Sequence, residues 1–226
     1  MIFSKNSYRH WLAIAYMAIF LGLEFLVVTS NSWLLNSDFG IQSTIEPMVN
    51  STYTAIFTVI SFIGSPPVTI IITLILAFWL FSKNKKVESI WTACTLMGGN
   101  VIAFLVKISV KRPRPVNKVI PDSGYSFPSG HVFGTTLLVL FVIYMVLPYF
   151  KNQETQFFLG TVAISWLIIM IFARLYLRGH FASDTVGSVI LAGAWWEVAQ
   201  LLYLKFYERT AELITHIPIL RKDFDK

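Results

Sequence analysis

Apolar residues along this chain gather in long unbroken runs, near 11–29, 67–82, 88–107, 131–150, 157–173 and 184–204. Strict alternation, the mark of a half-buried strand, is not the governing pattern. Crossing the hydrocarbon core of a bilayer takes about 20 mostly apolar helical residues, so the runs predict six transmembrane helices. The second run is the shortest and opens at Pro66-Pro67. Before it, residues 55–63 form an apolar stretch ended by Gly64-Ser65, too short to span and expected as an interfacial or re-entrant helix. From Lys205 the chain turns polar with mixed charge, which predicts a short helix outside the bilayer. Lys5 and Arg9 precede the first run as in a signal peptide. That run is too long for an h-region and no A-x-A-like site follows, so it is read as a retained span. The expected fold class is all-α: a polytopic membrane helical bundle with six transmembrane helices, in one domain over 1–226.

Composition moves the excess of apolar residues into lipid. Of 226 residues 55% are hydrophobic and 13% charged, with mean hydropathy +0.64, against about 45–50% and about 25% in soluble domains. The net charge of +6 is scattered in short patches between apolar runs, which excludes a nucleic-acid-binding arm. The single cysteine, Cys94, lies inside an apolar run. One thiol cannot staple a fold, and no Cys/His cluster of metal type is present. Oligomeric state is unreadable.

Lys and Arg in short loops set orientation. The stub carries Lys5 and Arg9, and the 82–88 loop carries Lys83, Lys85 and Lys86. Lys151 lies in the 151–156 loop, and Lys205, Arg209, Arg221 and Lys222 in the tail. Residues 31–66 contain no Lys or Arg. Both termini and the two basic loops are therefore expected in the cytoplasm. Two outward segments break this rule: the one holding Lys107, Lys111, Arg112, Arg114 and Lys118, and the one holding Arg174 and Arg178. An anionic ligand outside the membrane would explain them.

Three clusters fall at that one face: Lys107-Ile-Ser-Val-Lys-Arg-Pro-Arg114-Pro115, then Pro128-Ser129-Gly130-His131, then Arg174-Leu-Tyr-Leu-Arg-Gly-His180-Phe-Ala-Ser-Asp184. Phosphoryl transfer is mostly positioning and charge stabilisation. Arg forks match phosphate oxygens and Lys adds a point charge, roles suited to Lys107, Arg114 and Arg174. Ser129-Gly130 leads into the fourth span, where free helix N–H groups make an anion site. Ser129 can cap that helix or donate to an oxygen, and Gly130 permits close backbone approach. His180 and Asp184 are spaced i,i+4 and share a face if helical. Asp184 would then fix the imidazole tautomer and leave the other nitrogen free to attack. His131 can protonate the leaving oxygen and then activate water. This set requires no metal.

These segments resemble the three signature motifs of the type 2 phosphatidic acid phosphatase family: Lys, six residues, Arg-Pro; Pro-Ser-Gly-His; and Ser-Arg, five residues, His, three residues, Asp. The match comprises Lys107 with Arg114-Pro115, the intact Pro128-Ser129-Gly130-His131, and Arg174, His180 and Asp184. Ala173 stands where the family has Ser. The resemblance implies a metal-independent lipid phosphate phosphatase without cofactor, a phosphohistidine on His180, and His131 as acid then base. Phosphatidic acid, phosphatidylglycerophosphate and undecaprenyl pyrophosphate are the candidate substrates. Vanadium-dependent haloperoxidases share the pocket but are not polytopic. The alternative function is an anion or lipid transporter built round the basic pocket. Internal repeats or paired broken helices would mark it, and the sequence displays neither convincingly.

Plainer roles are expected elsewhere. His10 and His216 have no motif around them. Lys111, Arg112 and Lys118 are expected to snorkel to headgroups, while Arg178 fits either role. Gly98-Gly99 with Asn100 suggests close helix packing. Glu24 and Glu197 lie within spans and are expected protonated or paired. Trp195 and Trp196 are expected to pack or face lipid.

Overall fold

In the computed structural model, Phe3, Asn6 and residues 8–216 are described. Lys5, Arg221 and Lys222, used above for orientation, lie outside them, as does the side chain of His216. Eight helices account for the described chain: α1 (Tyr8–Val28), α2 (Ser32–Ile45), α3 (Ser51–Ile63), α4 (Pro66–Ser82), α5 (Lys86–Val110), α6 (Gly130–Phe141), α7 (Gln153–Tyr176) and α8 (Ala182–His216). A π-turn over Val142–Val146 and a 3₁₀ turn over Leu147–Tyr149 extend α6.

Local chemistry sets the boundaries. The side chain of Asn31 accepts from the amides of Trp33 and Leu34, Asn50 from Tyr53, and Asn152 from Glu154. Each satisfies amides that a helix start leaves without a partner. Proline opens α4, where its missing N–H costs nothing. Lys111 ends α5 in the left-handed region at φ 52°, and Pro113 is placed to prevent continuation.

Five helical stretches are long and apolar enough to cross a membrane. They are Tyr8–Val28, Lys86–Val110, Gly130–Tyr149, Gln153–Tyr176 and Ala182–Ile214. The sixth crossing comes only from α3 and α4 together, which meet at a 43° bend. The apolar stretch read as interfacial or re-entrant is one arm of a bent pair with the shortest expected span, the geometry of a broken span or a re-entrant loop. The protein is a multi-pass membrane protein with an all-helical fold.

Two elements differ from expectation. Helix α2 occupies part of the Lys/Arg-free stretch; at 14 residues it is too short and too polar to register as a span. The polar segment from Lys205 is no separate helix, because α8 runs unbroken for 35 residues. At about 1.5 Å per residue such a helix outreaches the roughly 30 Å hydrocarbon core.

Helix α8 is the axis of the bundle, packed against α1, α5 and α6. Trp91, Phe141, Trp196 and Tyr203 meet edge to face in its core. A Cβ on Gly98 or Gly99 would come within 2.6 or 2.9 Å of Trp195, so this glycine pair lets α8 approach α5. The indole N–H of Trp195 donates to the Thr95 carbonyl at 2.8 Å. Glu197 pairs with Arg9 at 3.4 Å.

Candidate active site

The end of α5, the start of α6, the end of α7 and the start of α8 carry Lys107, His131, Arg174 and Asp184. Connecting segments 111–129 and 177–181 close over the same end and contribute Arg114 and His180.

His180 sits in the loop before α8, not on the helix. The shared helical face inferred from its spacing to Asp184 is therefore corrected: the two meet across the helix start. Asp184, in the first turn of α8, accepts from the Phe181 amide through Oδ2 at 2.9 Å, half of a capping box. The same oxygen lies 3.5 Å from His180 Nδ1. That separation exceeds a formed hydrogen bond, and Nδ1 is buried with no closer partner among the described residues.

On its other side, His180 Nε2 faces Arg114 Nη1 at 3.2 Å. A guanidinium only donates, so Nε2 presents its lone pair and the ring proton belongs on Nδ1, toward Asp184. Burial holds the imidazole well below its ordinary range, and the charges of Arg174, Arg114 and Lys107 push the same way against Asp122. These influences favour the neutral imidazole.

Arg114 and Arg174 converge on one point. Arg114 Nη1 donates to Asp122 Oδ2 at 2.8 Å and to the Gly179 carbonyl at 2.7 Å. Its Nε donates to the carbonyls of Ser123 and Gly124 at 3.0 and 3.1 Å. Arg174 Nη2 donates to the same Asp122 oxygen, while its Nη1 donates to Ser61 Oγ of α3 at 2.6 Å. Burial would raise the Asp122 pKa, but Arg174 and Arg114 outweigh it and hold the carboxyl below the usual range. Gly179 makes the approach possible: a Cβ there would lie 2.2 Å from Arg174 Nη2 and 3.0 Å from Asp122 Oδ2.

The remaining candidates surround this point. Lys107 donates to the Tyr125 carbonyl at 2.8 Å. Half-buried His131 lies within electrostatic reach of Arg174, His180, Asp122 and Arg114. Ser129 caps α6, its Oγ accepting from Val132 at 3.4 Å. The Ser129 amide donates to Ser188 Oγ at 2.7 Å, tying the start of α6 to α8. Gly130 and His131 occupy the first two positions of α6, whose amides have no acceptor within the helix. Ala173 is fully buried.

Arg112 corrects the snorkelling expectation. It is buried, with Nη1 on Asp184 Oδ1 at 2.6 Å and Nη2 on Asp38 Oδ2 at 2.7 Å. Asp38, from α2, also accepts from the Ser183 amide at 2.9 Å and its hydroxyl at 2.5 Å. The Arg112 guanidinium stacks 4.3 Å from the Phe181 ring centroid. This network fixes the carboxylate that faces His180. Lys111 is exposed as expected. Lys118 instead ties down its own loop through the Asp122 carbonyl at 2.7 Å. Arg178 turns away to Glu46 at 3.0 Å.

Sequence reasoning missed Asp38, Ser61, Asp122, Gly179, Ser183 and Ser188. Asp122 had one visible signal, being the sole acid between Arg114 and Ser129. Ser183 and Ser188 offered only proximity to Asp184.

A model of the PAP2 superfamily matches residues 88–208, which include every motif residue named above. No curated protein matches the chain. Among solved structures, the fold is similar to that of the first transmembrane PAP2 type phosphatidylglycerolphosphate phosphatase from Bacillus subtilis. The TM-score is 0.75 at 17% identity, covering 86% of this chain and 97% of that one.

Proposed function

The chain belongs to the PAP2 superfamily, and from that membership and the pocket's geometry we propose that it removes the terminal phosphate of a membrane lipid through a phosphohistidine on His180. The observation carrying this reading is the position of His180 Nε2, 3.2 Å from Arg114 Nη1 and beside the point where Arg114 and Arg174 converge. A neutral imidazole is a competent nucleophile, and fixed cations stabilise charge where the transferred group spreads it.

The reaction has two steps. His180 Nε2 bonds to phosphorus as the bond from phosphorus to the lipid oxygen breaks, and His131 gives that oxygen its proton. Water then attacks phosphorus, the N–P bond breaks, His131 takes the water's proton, and inorganic phosphate leaves. Asp184 stabilises the imidazolium character that develops at Nδ1, which calls for the 3.5 Å gap to tighten. Lys107, Arg114, Arg174 and the Gly130 and His131 amides bind the phosphoryl oxygens. Ser129 holds the α6 start that aims those amides. With charge neutralised by side chains, the proposed chemistry is metal-independent.

The basic loops 82–88 and 151–156 support a pocket on the extracytoplasmic side by the Lys/Arg rule. A lipid's tail can remain in the bilayer while its phosphate enters between helix ends. The structurally similar Bacillus subtilis protein is a phosphatidylglycerolphosphate phosphatase, so phosphatidylglycerophosphate heads a substrate panel with phosphatidic acid and undecaprenyl pyrophosphate. The bent pair α3–α4 is the only one of its kind among the described residues, whereas transporters pair theirs.

Phosphate release from that panel by purified protein tests the reading. Turnover of at least one lipid is expected, persisting in EDTA, blocked by vanadate and abolished in His180→Ala with the fold intact. Inactivity on all three, or unimpaired His180→Ala, would refute it.

A further inference from the structure

Asp122 occupies the place a phosphoryl oxygen would need. Its Oδ2 takes donors from both Arg114 and Arg174, and the Arg114 nitrogen that serves it is the one facing His180 Nε2 at 3.2 Å. Its Oδ1 is turned away, accepting from the Ser123 amide at 2.9 Å. A phosphate clamped by these arginines and open to attack from His180 cannot share the position with this carboxylate. Asp122 is anchored through its own loop, because Lys118 holds its carbonyl at 2.7 Å, and the side chain is 19% exposed. It can swing outward without disturbing the buried Arg112 network.

A cationic pocket at headgroup level faces a specific hazard. Anionic phosphodiester headgroups surround it at high local concentration, and each could sit on the arginines without reacting productively. An internal carboxylate competes with every ligand by one common factor, because apparent affinity falls with the fraction of pockets left open. A tethered group competes at an effective concentration of order millimolar. A phosphodiester brings one negative charge and two free oxygens, no more than the carboxylate it must displace. A terminal phosphate brings about −1.5 to −2 charges and three acceptor oxygens, enough to engage both guanidinium forks. A common penalty therefore empties the pocket of weakly held diesters while the terminal phosphate stays bound.

We propose that Asp122 is an internal placeholder: its carboxylate fills the phosphate seat of the free pocket and lowers the occupancy of every competing anion by one factor, so that weakly held phosphodiester headgroups are kept out while a more tightly held terminal phosphate still displaces it. This inference rests on the lipid phosphatase reading.

The test is inhibition by phosphatidylglycerol, a diester without a terminal phosphate, in mixed micelles with phosphatidic acid or whichever lipid phosphate the protein hydrolyses. The surface inhibition constant is measured for wild type, Asp122→Asn and Asp122→Ala. Both variants should bind phosphatidylglycerol more tightly by about tenfold or more, the scale set by weakening the charge-assisted hydrogen bonds of Asp122 to Arg114 and Arg174. Orthovanadate should inhibit both at lower concentration than wild type, which checks that their pockets are intact. Unchanged or weaker phosphatidylglycerol inhibition in both variants, with wild type active, would overturn the role of Asp122 and leave the phosphatase reading standing; a structural tie for the arginines gives that weaker binding. Wild type inactive on every lipid phosphate would remove the phosphatase reading and this inference with it.

Discussion

Replacing Arg112 by Ala would leave Asp38 and Asp184 buried without their common cation. Both carboxylates now lie within 2.7 Å of its guanidinium. Removing one partner of a buried ion pair typically costs about 3–5 kcal/mol, since the remaining charge has no solvent. Arg112→Ala should lose thermal stability and nearly all turnover, and Arg112→Lys should recover little, because one ammonium does not reproduce a planar fork. Thermal unfolding in detergent with parallel phosphate-release assays decides this. A variant near wild type in both would mean that Asp184 is positioned without Arg112. Nothing in the sequence pairs Arg112 with Asp38. They are 74 residues apart, and a basic residue at a helix end ordinarily reaches for headgroups. Asp122 was obscure for the opposite reason, as an acid in a cationic pocket contradicts the expected charge.

Among the elements, α3 bears most directly on the clamp. Its Ser61 hydroxyl accepts from Arg174 at 2.6 Å, so the short arm of the broken pair aims a guanidinium. A hydrogen bond to a charged group contributes about 1.5–3 kcal/mol. Ser61→Ala should lower kcat/KM by about tenfold or more, and Ser61→Thr, which keeps the hydroxyl, should retain most activity. Equal kinetics for Ser61→Ala and wild type would show that Asp122 and the substrate alone hold Arg174. The long apolar helices were legible because bilayer thickness dictates their length. Helix α2 was not, because a 14-residue segment containing Asp38 and Gln42 matches neither a span nor a clear amphipathic face. The 43° bend follows from Gly64-Ser65-Pro66-Pro67, whose punctuation was visible although its pairing with α4 was not. Lys107, His131, Arg174 and Asp184 could be gathered from sequence because alternating spans return to one face. The place of His180 could not, since spacing alone does not say where a helix begins.

At the scale of the whole molecule, one end of the bundle carries all the candidate chemistry, so sidedness decides which leaflet the protein can serve. In a Cys94→Ala background, a cysteine at Ser123 should react with an impermeant thiol reagent in intact cells, and one at Asn84 should not. The reverse pattern would put the pocket in the cytoplasm. The account's central claim concerns a covalent bond, and trapping that bond tests it most directly. The purified protein is mixed with lipid carrying ³²P in its terminal phosphate and quenched in alkali within one turnover. The account predicts protein-bound label that survives base, is lost in mild acid, maps to His180 and is missing from His180→Ala. Label on another residue, or rapid phosphate release with no protein-bound label at any quench time, would contradict it.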